Sequence, residues 1–239
     1  MTALPTSCEM CVVRNRAVCA ALDGNELTVL DRIGRRQTLS AGQSLYWEGD
    51  DALLVGNVLE GVLKLTNSLA DGREQTVGLV YPSDFIGRPF GSTSRHSVTA
   101  LTDARVCTFM QSDFERFAEE HPKLEHKLYQ RTLGELDRAR EWMLLLARKS
   151  AGEKVATFLL EMSERLNGDG GCSGLHLQSD HFELPFGRQQ IADVLGLTIE
   201  TVSRRLTALK REGVIDLEGR RGIVILNRDA LAEQAETSE

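Results

Sequence analysis

The segment Phe186–Leu226, FGRQQIADVLGLTIETVSRRLTALKREGVIDLEGRRGIVIL, constrains this chain more than any other. Over Gln189–Leu195 the apolar residues Ile191, Ala192 and Leu195 recur at helical spacing, and Gly196 follows where a left-handed cap ends a helix. Leu197 is expected to bury in the turn, and Thr198 is a ready N-cap for a second helix. That helix places Val202, Leu206 and Leu209 on one face. It leaves Glu200, Thr201, Ser203, Arg204, Arg205 and Lys210 with polar heads outward. Two short helices joined by so tight a turn form a helix-turn-helix, whose second helix enters the DNA major groove with its N-terminal residues on base edges.

The outward chemistry suits that task. Arg204 can donate two hydrogen bonds to guanine N7 and O6, and Glu200 can accept from a cytosine amino group. A carboxylate facing a polyanion is costly without such a donor, so Glu200 is informative. Ser203 can bond a base edge, and Thr201 a base or a phosphate. Arg205, Lys210 and the hairpin tip Gly219–Arg220–Arg221–Gly222 suit phosphates, which set affinity and register without reading sequence. From Arg188 to Arg221 there are seven basic and five acidic residues, net +2, against −7 for the whole chain. The remainder is therefore −9, an acidic body with one locally basic segment.

The N-terminal half has a different texture. From about Thr38 to Phe109 short apolar runs are broken by glycine, with strands expected at Leu53–Leu59, Val62–Thr66 and Thr76–Val80. Strands this short with turns this dense predict a β-sandwich or small barrel. After Pro122 the pattern is helical. Leu124, Leu128, Thr132, Leu136, Ala139, Met143 and Leu146 form a thin stripe that predicts a two-helix dimer seam. Asn167–Gly174 reads as a glycine-rich linker. No run is apolar enough for a membrane helix and no apolar core marks the first twenty residues for export, so a cytoplasmic protein is expected. Aromatics at 5% argue against a sugar cleft or a base-stacking RNA platform.

Five cysteines in such a chain suit metal or redox work better than disulfides. Cys8, Cys11 and Cys19 supply three thiolates on one short arm, and Cys107, in an apolar run near the end of the strand-rich region, is the natural fourth ligand. Four soft thiolates suit zinc or an iron–sulfur cluster, and spacing alone does not separate them. Arg14 and Arg16 stand where they could offset the charge. Cys172 and the histidines have no ligand pattern, and Cys172 reads as incidental.

Thr198–Arg204 (TIETVSR), with the helices before it and the basic hairpin after it, resembles the winged helix of the CRP/FNR regulator superfamily. Its E-x-x-S-R arrangement is similar to the FNR type, and the seven residues between Cys11 and Cys19 resemble the FnrL-type branch. The resemblance covers nearly the whole chain. It implies an α+β fold: a cysteine arm (1–20), a β-roll like a cyclic-nucleotide-binding jelly roll (21–121), a dimerisation helix (122–148) and a winged helix-turn-helix (149–239). It also implies a [4Fe–4S] cluster on Cys8, Cys11, Cys19 and Cys107, converted by oxygen to a smaller cluster with loss of the dimer and of DNA affinity. It implies a homodimer on double-stranded DNA near TTGAT-N4-ATCAA, with Glu200, Ser203 and Arg204 over TTGA. RNA polymerase would be recruited through surface loops, for which the Ser68–Arg73 and Pro82–Asp84 turns are expected to be exposed.

Asp84–Thr99 (DFIGRPFGSTSRHSVT) departs from the cyclic-nucleotide pattern. Arg88–Pro89 replaces the expected Glu-Leu, and His96 precedes Ser97 where an arginine would stand, so cyclic nucleotide binding is not expected. The alternatives are a DNA-binding regulator whose thiolates hold zinc, or whose β-roll senses another small ligand or haem. A thiol enzyme is disfavoured, because no C-x-x-C lies in a βαβ context.

Overall fold

The computed structural model describes residues 6–68, 70–72, 74–167 and 180–236. Cys172, His176, most of the Asn167–Gly174 linker, and Leu69 and Arg73 of the turn named above lie outside the described residues. The chain divides into two compact units, 1–139 and 140–239, with the boundary inside one long helix.

The first unit opens with α1 (Thr6–Glu9), a 3-10 turn (Val18–Ala21) and α2 (Gly24–Ile33). Asp23 starts α2 with a capping box, accepting from the Asn25 and Glu26 amides while Glu26 accepts from the Asp23 amide. Eight strands follow: β1 (Gly34–Leu39), β2 (Ser44–Tyr46), β3 (Leu54–Glu60), β4 (Leu63–Ser68), β5 (Glu74–Val80), β6 (Phe85–Ile86), β7 (Ser97–Ala100) and β8 (Ala104–Met110). They form two antiparallel four-stranded sheets, ordered β1-β8-β3-β6 and β2-β7-β4-β5. Leu39, Val58, Leu63, Val98 and Val106 fill the space between them.

The alternation of strand side chains gives the first sheet two different faces. On β8, Ala104 and Val106 point into the roll, while Cys107 and Phe109 join a second core outside it. Val55, Phe109, α2, α3 (Gln111–Glu119) and the start of α4 (Pro122–Arg148) make up that outer core. Gly56 lets β3 and β8 approach closely, since a Cβ there would stand 2.3 Å from the Cys107 carbonyl oxygen.

The second unit holds the end of α4, α5 (Ala151–Asn167), β9 (His181–Glu183), α6 (Arg188–Leu195), α7 (Ile199–Arg211), β10 (Ile215–Glu218), β11 (Gly222–Ile225) and α8 (Arg228–Glu236). The hairpin β10–β11 extends through β9 into a three-stranded antiparallel sheet. The expected α+β architecture is therefore present: an antiparallel β-roll, a long helix and a C-terminal helix-turn-helix. Among the described residues, no helix is long and apolar enough to cross a membrane.

Two expectations need correction. Leu124 and Leu128 cannot face a partner, because they are buried in the outer core of their own unit. Successive i+4 steps turn by about 40° around an α-helix, so three of them carry the stripe about 120° away from Leu124. Leu136 and Met143 are exposed, together with Tyr129, Leu133 and Leu144. Tyr129, Leu133, Leu136 and Met143 are spaced 4, 3 and 7 residues apart, a heptad line that the stripe drawn from Leu124 missed. The second correction concerns Pro82–Asp84, which is half-buried. Asp84 accepts from the Tyr81 amide and pairs with Arg131.

Candidate functional site

Cys8, Cys11, Cys19 and Cys107 all line one narrow pocket, together with Arg14, Asp31, Arg36, Asn57 and the apolar walls Val13, Ala17, Leu30, Leu59 and Phe109. The convergence follows from the strand alternation. Cys107 projects from the outer face of β8, and the arm crosses that face with Val13, Ala17 and Val18 buried as anchors. All four are free thiols, each half-buried. Burial pushes the Cys19 thiol up to about 12, with further upward push from Cys107, Cys8 and Cys11. Cys107 also rises to about 12, chiefly through burial and against the opposing pull of Arg36, with Cys8, Cys11 and Asp31 raising it further. Thiols that perturb one another in this way are close neighbours in a poorly solvated space. Among the described residues, no three His, Cys, Asp or Glu side chains form a ready-made site for a single ion.

The pocket floor is a cross-strand row. Arg36 of β1 pairs in register with Cys107 of β8, which pairs with Asn57 of β3. Asn57 donates through Nδ2 to Cys19 Sγ at 3.8 Å, and Cys8 Sγ lies 3.5 Å from Asp31 Oδ1. Of the two arginines expected to offset charge, Arg14 lines the pocket, whereas the Arg16 carbonyl accepts from the Arg131 guanidinium of α4. Arg131 thus joins three parts of the first unit: the arm, the β6 approach at Asp84, and the long helix.

The second site is α7. Gly196 takes the left-handed conformation at φ 63°, as its place after α6 requires, and the Thr198 hydroxyl accepts from the Thr201 amide at 3.2 Å. Val202, Leu206 and Leu209 are buried, and Leu197 is half-buried. Glu200, Arg204, Arg205 and Lys210 are exposed; Thr201 and Ser203 are half-buried. Hydrogen bonds at the helix N-terminus, from backbone and the Thr198 hydroxyl, hold the Glu200 carboxyl below the usual range, and Arg204 adds to the effect. Arg204 donates to Thr201 Oγ1 and Arg188 to Ser203 Oγ, both at 3.4 Å. Lys210 is paired with Asp216 at 2.6 Å, Arg205 lies over Gly152 of α5, and Arg221 donates to the Pro185 carbonyl. Arg220 is exposed at the hairpin tip.

Sequence reading missed Arg188, Thr207 and Arg211 on this surface, and Arg36 and Asn57 at the cysteines. Thr207 and Arg211 extend the Glu200–Ser203–Arg204 face at i+7 and i+11, and with Ser203 and Arg204 they line one shallow groove. Asn57 had a signal too, as a single amide in an otherwise apolar run, Leu53–Leu59. Arg36 had none, because only strand pairing places it beside Cys107.

A third feature is a cavity of about 830 Å³ between the β-roll and α4, large enough for a nucleotide-sized ligand. Arg88, Pro89, Arg95 and His96 line it, with Asp84, Glu125, Glu135, Arg131 and Arg138. Arg88 and Arg95 are exposed, and His96 is held by Asn67 at 2.6 Å and pushed down by burial.

Residues 36–121 match the cyclic nucleotide-binding domain family and residues 153–234 the Crp-like helix-turn-helix domain family. The chain is 44% identical over 232 residues to the transcriptional activator protein FnrL of Cereibacter sphaeroides, covering 95% of this chain and 91% of that protein. It is 44% identical over 208 residues to the nitrogen fixation regulation protein FixK of Bradyrhizobium diazoefficiens, covering 87% and 85%. The solved structure of FixK2 from Bradyrhizobium japonicum superposes with a TM-score of 0.76 at 34% identity, over 87% of this chain and 100% of that one. With an antiparallel roll, a long helix and a capped recognition helix bearing TIETVSR, this chain belongs to the Crp/FNR family of DNA-binding transcription regulators and is not an enzyme.

Proposed function

We propose that this regulator responds to oxygen through a [4Fe–4S] cluster held by Cys8, Cys11, Cys19 and Cys107. The observation that carries the reading is the shared pocket, to which the arm brings three sulfurs and β8 the fourth. The donor chemistry fits: four thiols, apolar walls that limit water, and the cations Arg14 and Arg36 against the negative charge of a thiolate-bound centre. When bound, such a cluster supplies an oxygen-labile cross-link between arm and sheet. The arm's backbone is already tied to α4, where Arg131 donates to the Arg16 carbonyl. A change in how the arm lies against β8 therefore reaches the helix directly.

The exposed heptad line on α4 is the dimer seam, with Leu136, Met143, Thr132 and Ala139 of the expected set joined by Tyr129 and Leu133. In the dimer each recognition helix lies in the major groove of one half of a TTGAT-N4-ATCAA-like operator. Glu200, Ser203 and Arg204 contact bases, while Thr201, Arg205, Lys210, Arg220 and Arg221 contact the backbone. Lys210 must exchange Asp216 for a phosphate to do so. Ser68, Ala70, Asp71 and Gly72 form an exposed turn suited to RNA polymerase, and the protein works in the cytoplasm.

Anaerobic purification tests the sensor half. The expected result is a brown protein with about four iron and four sulfide per chain. A colourless protein with stoichiometric zinc overturns the sensor and leaves the DNA-binding half standing.

A further inference from the structure

We propose that Asn57 is a positioning residue of the cysteine pocket, its amide donating a hydrogen bond to the Cys19 sulfur and so setting the reduction potential and air lifetime of the bound centre. The inference rests on the cluster reading above and extends it to a residue that is not a ligand.

Asn57 lies on β3, the strand beside β8, in register opposite Cys107. Only 1% of it is exposed, and its strand neighbours Val55, Val58 and Leu59 are buried apolar residues. A carboxamide carries two N–H donors and a carbonyl with two lone pairs, and each group buried without a partner is costly. Nδ2 reaches Cys19 Sγ at 3.8 Å, whereas Oδ1 has no partner among the described residues. A leucine has the same branched outline, with more bulk, and carries no orphaned carbonyl. As a packing residue, then, Asn57 is a poor choice for this strand.

Its chemistry suits a different task. An N–H bond to a neutral thiol is weak, but the same bond to a metal-bound thiolate is charge-assisted and stronger. Hydrogen bonds to the sulfurs of iron–sulfur centres withdraw electron density and are among the protein's controls of potential. Asn57 acts through Cys19. Arg36 stands on the other side of Cys107 in the same row and adds positive charge there.

The test uses the full chain loaded anaerobically with ferrous iron and sulfide, comparing wild type with Asn57→Leu. Equal iron content, a more negative midpoint potential and bleaching in air about fivefold faster are expected, the size of one modest hydrogen bond. The iron–thiolate stretching bands in resonance Raman spectra should also shift, and Asn57→Gln, which keeps an amide donor, should recover part of the difference. The iron-free Asn57→Leu protein should melt no lower than wild type, since it loses an unpaired carbonyl. Should leucine disturb packing, Asn57→Ala removes the donor without adding bulk and must give the same direction of change. A loaded Asn57→Leu protein with unchanged potential, spectrum and bleaching rate overturns the role of Asn57 alone. A wild-type protein that takes up no iron or sulfide overturns the centre, and the role of Asn57 with it.

Discussion

The helix-turn-helix and the cysteine pocket are built by opposite means. The polar face of α7 lies within one short stretch, and helix periodicity with the caps at Gly196 and Thr198 fixes where each side chain points. The cysteine pocket draws on residues 8 to 107, brought together by strand pairing and by an arm lying across a sheet. A locally coded surface should lose function in graded steps, one contact at a time. A pocket assembled from distant parts should fail as a whole.

The largest expected effect tests that contrast. Cys107→Ser should abolish iron uptake outright, while the isolated melting transition of the DNA-binding unit stays in place. Cys172→Ser should leave both the iron content and that transition unchanged, and retention of full iron by Cys107→Ser would break the comparison.

On the long helix, Leu136→Glu puts an unpaired charge on the exposed heptad line and should convert the loaded dimer to a folded monomer, measured by analytical ultracentrifugation. Leu128→Glu should instead unfold the β-roll, because Leu128 is a core residue. If the two variants behaved alike, the corrected seam would be wrong.

A smaller, graded loss is expected at the recognition helix. Arg204→Ala should cost about 1–3 kcal/mol on the matched palindrome, with relaxed preference at one base pair and little change on random DNA. Arg131→Ala sharpens the link between arm and helix. Iron content should hold, while the ratio of DNA affinities between loaded and iron-free protein falls about fivefold or more, equivalent to about 1 kcal/mol of coupling. Arg221→Ala should have the smallest effect, weakening matched and random DNA alike and lowering the salt slope by about one. Fluorescence anisotropy across a salt series separates the three.

Legibility in the sequence follows the same division. Gly196, Thr198, Val202, Leu206 and Leu209 took the places their spacing predicted, because a helix end is decided by neighbours within a few residues. The strands at 54–60, 63–68 and 74–80 lie close to the expected runs, since alternation and glycine turns are local as well. The α4 stripe went wrong at its start. Burial of Leu124 and Leu128 depends on the β-roll core beneath them, and no spacing within the helix reports that. The Pro82–Asp84 turn departs from its expected exposure for a similar reason, since Arg131, 47 residues on, engages Asp84. Arg88 and Arg95, read mainly as surface, line a large cavity whose other wall comes from α4.

By itself, then, the sequence determined the two textures, the helix-turn-helix, the direction of its polar face and the supply of four thiols, because periodicity, capping and composition act over a few residues. Tertiary structure alone decided that Cys107 faces the arm and not the roll interior, that Arg36 and Asn57 flank it, and which side of α4 stays exposed. Each of these depends on which strand lies next to which and in what register, and pairing between residues far apart in the chain leaves no periodic trace in either partner.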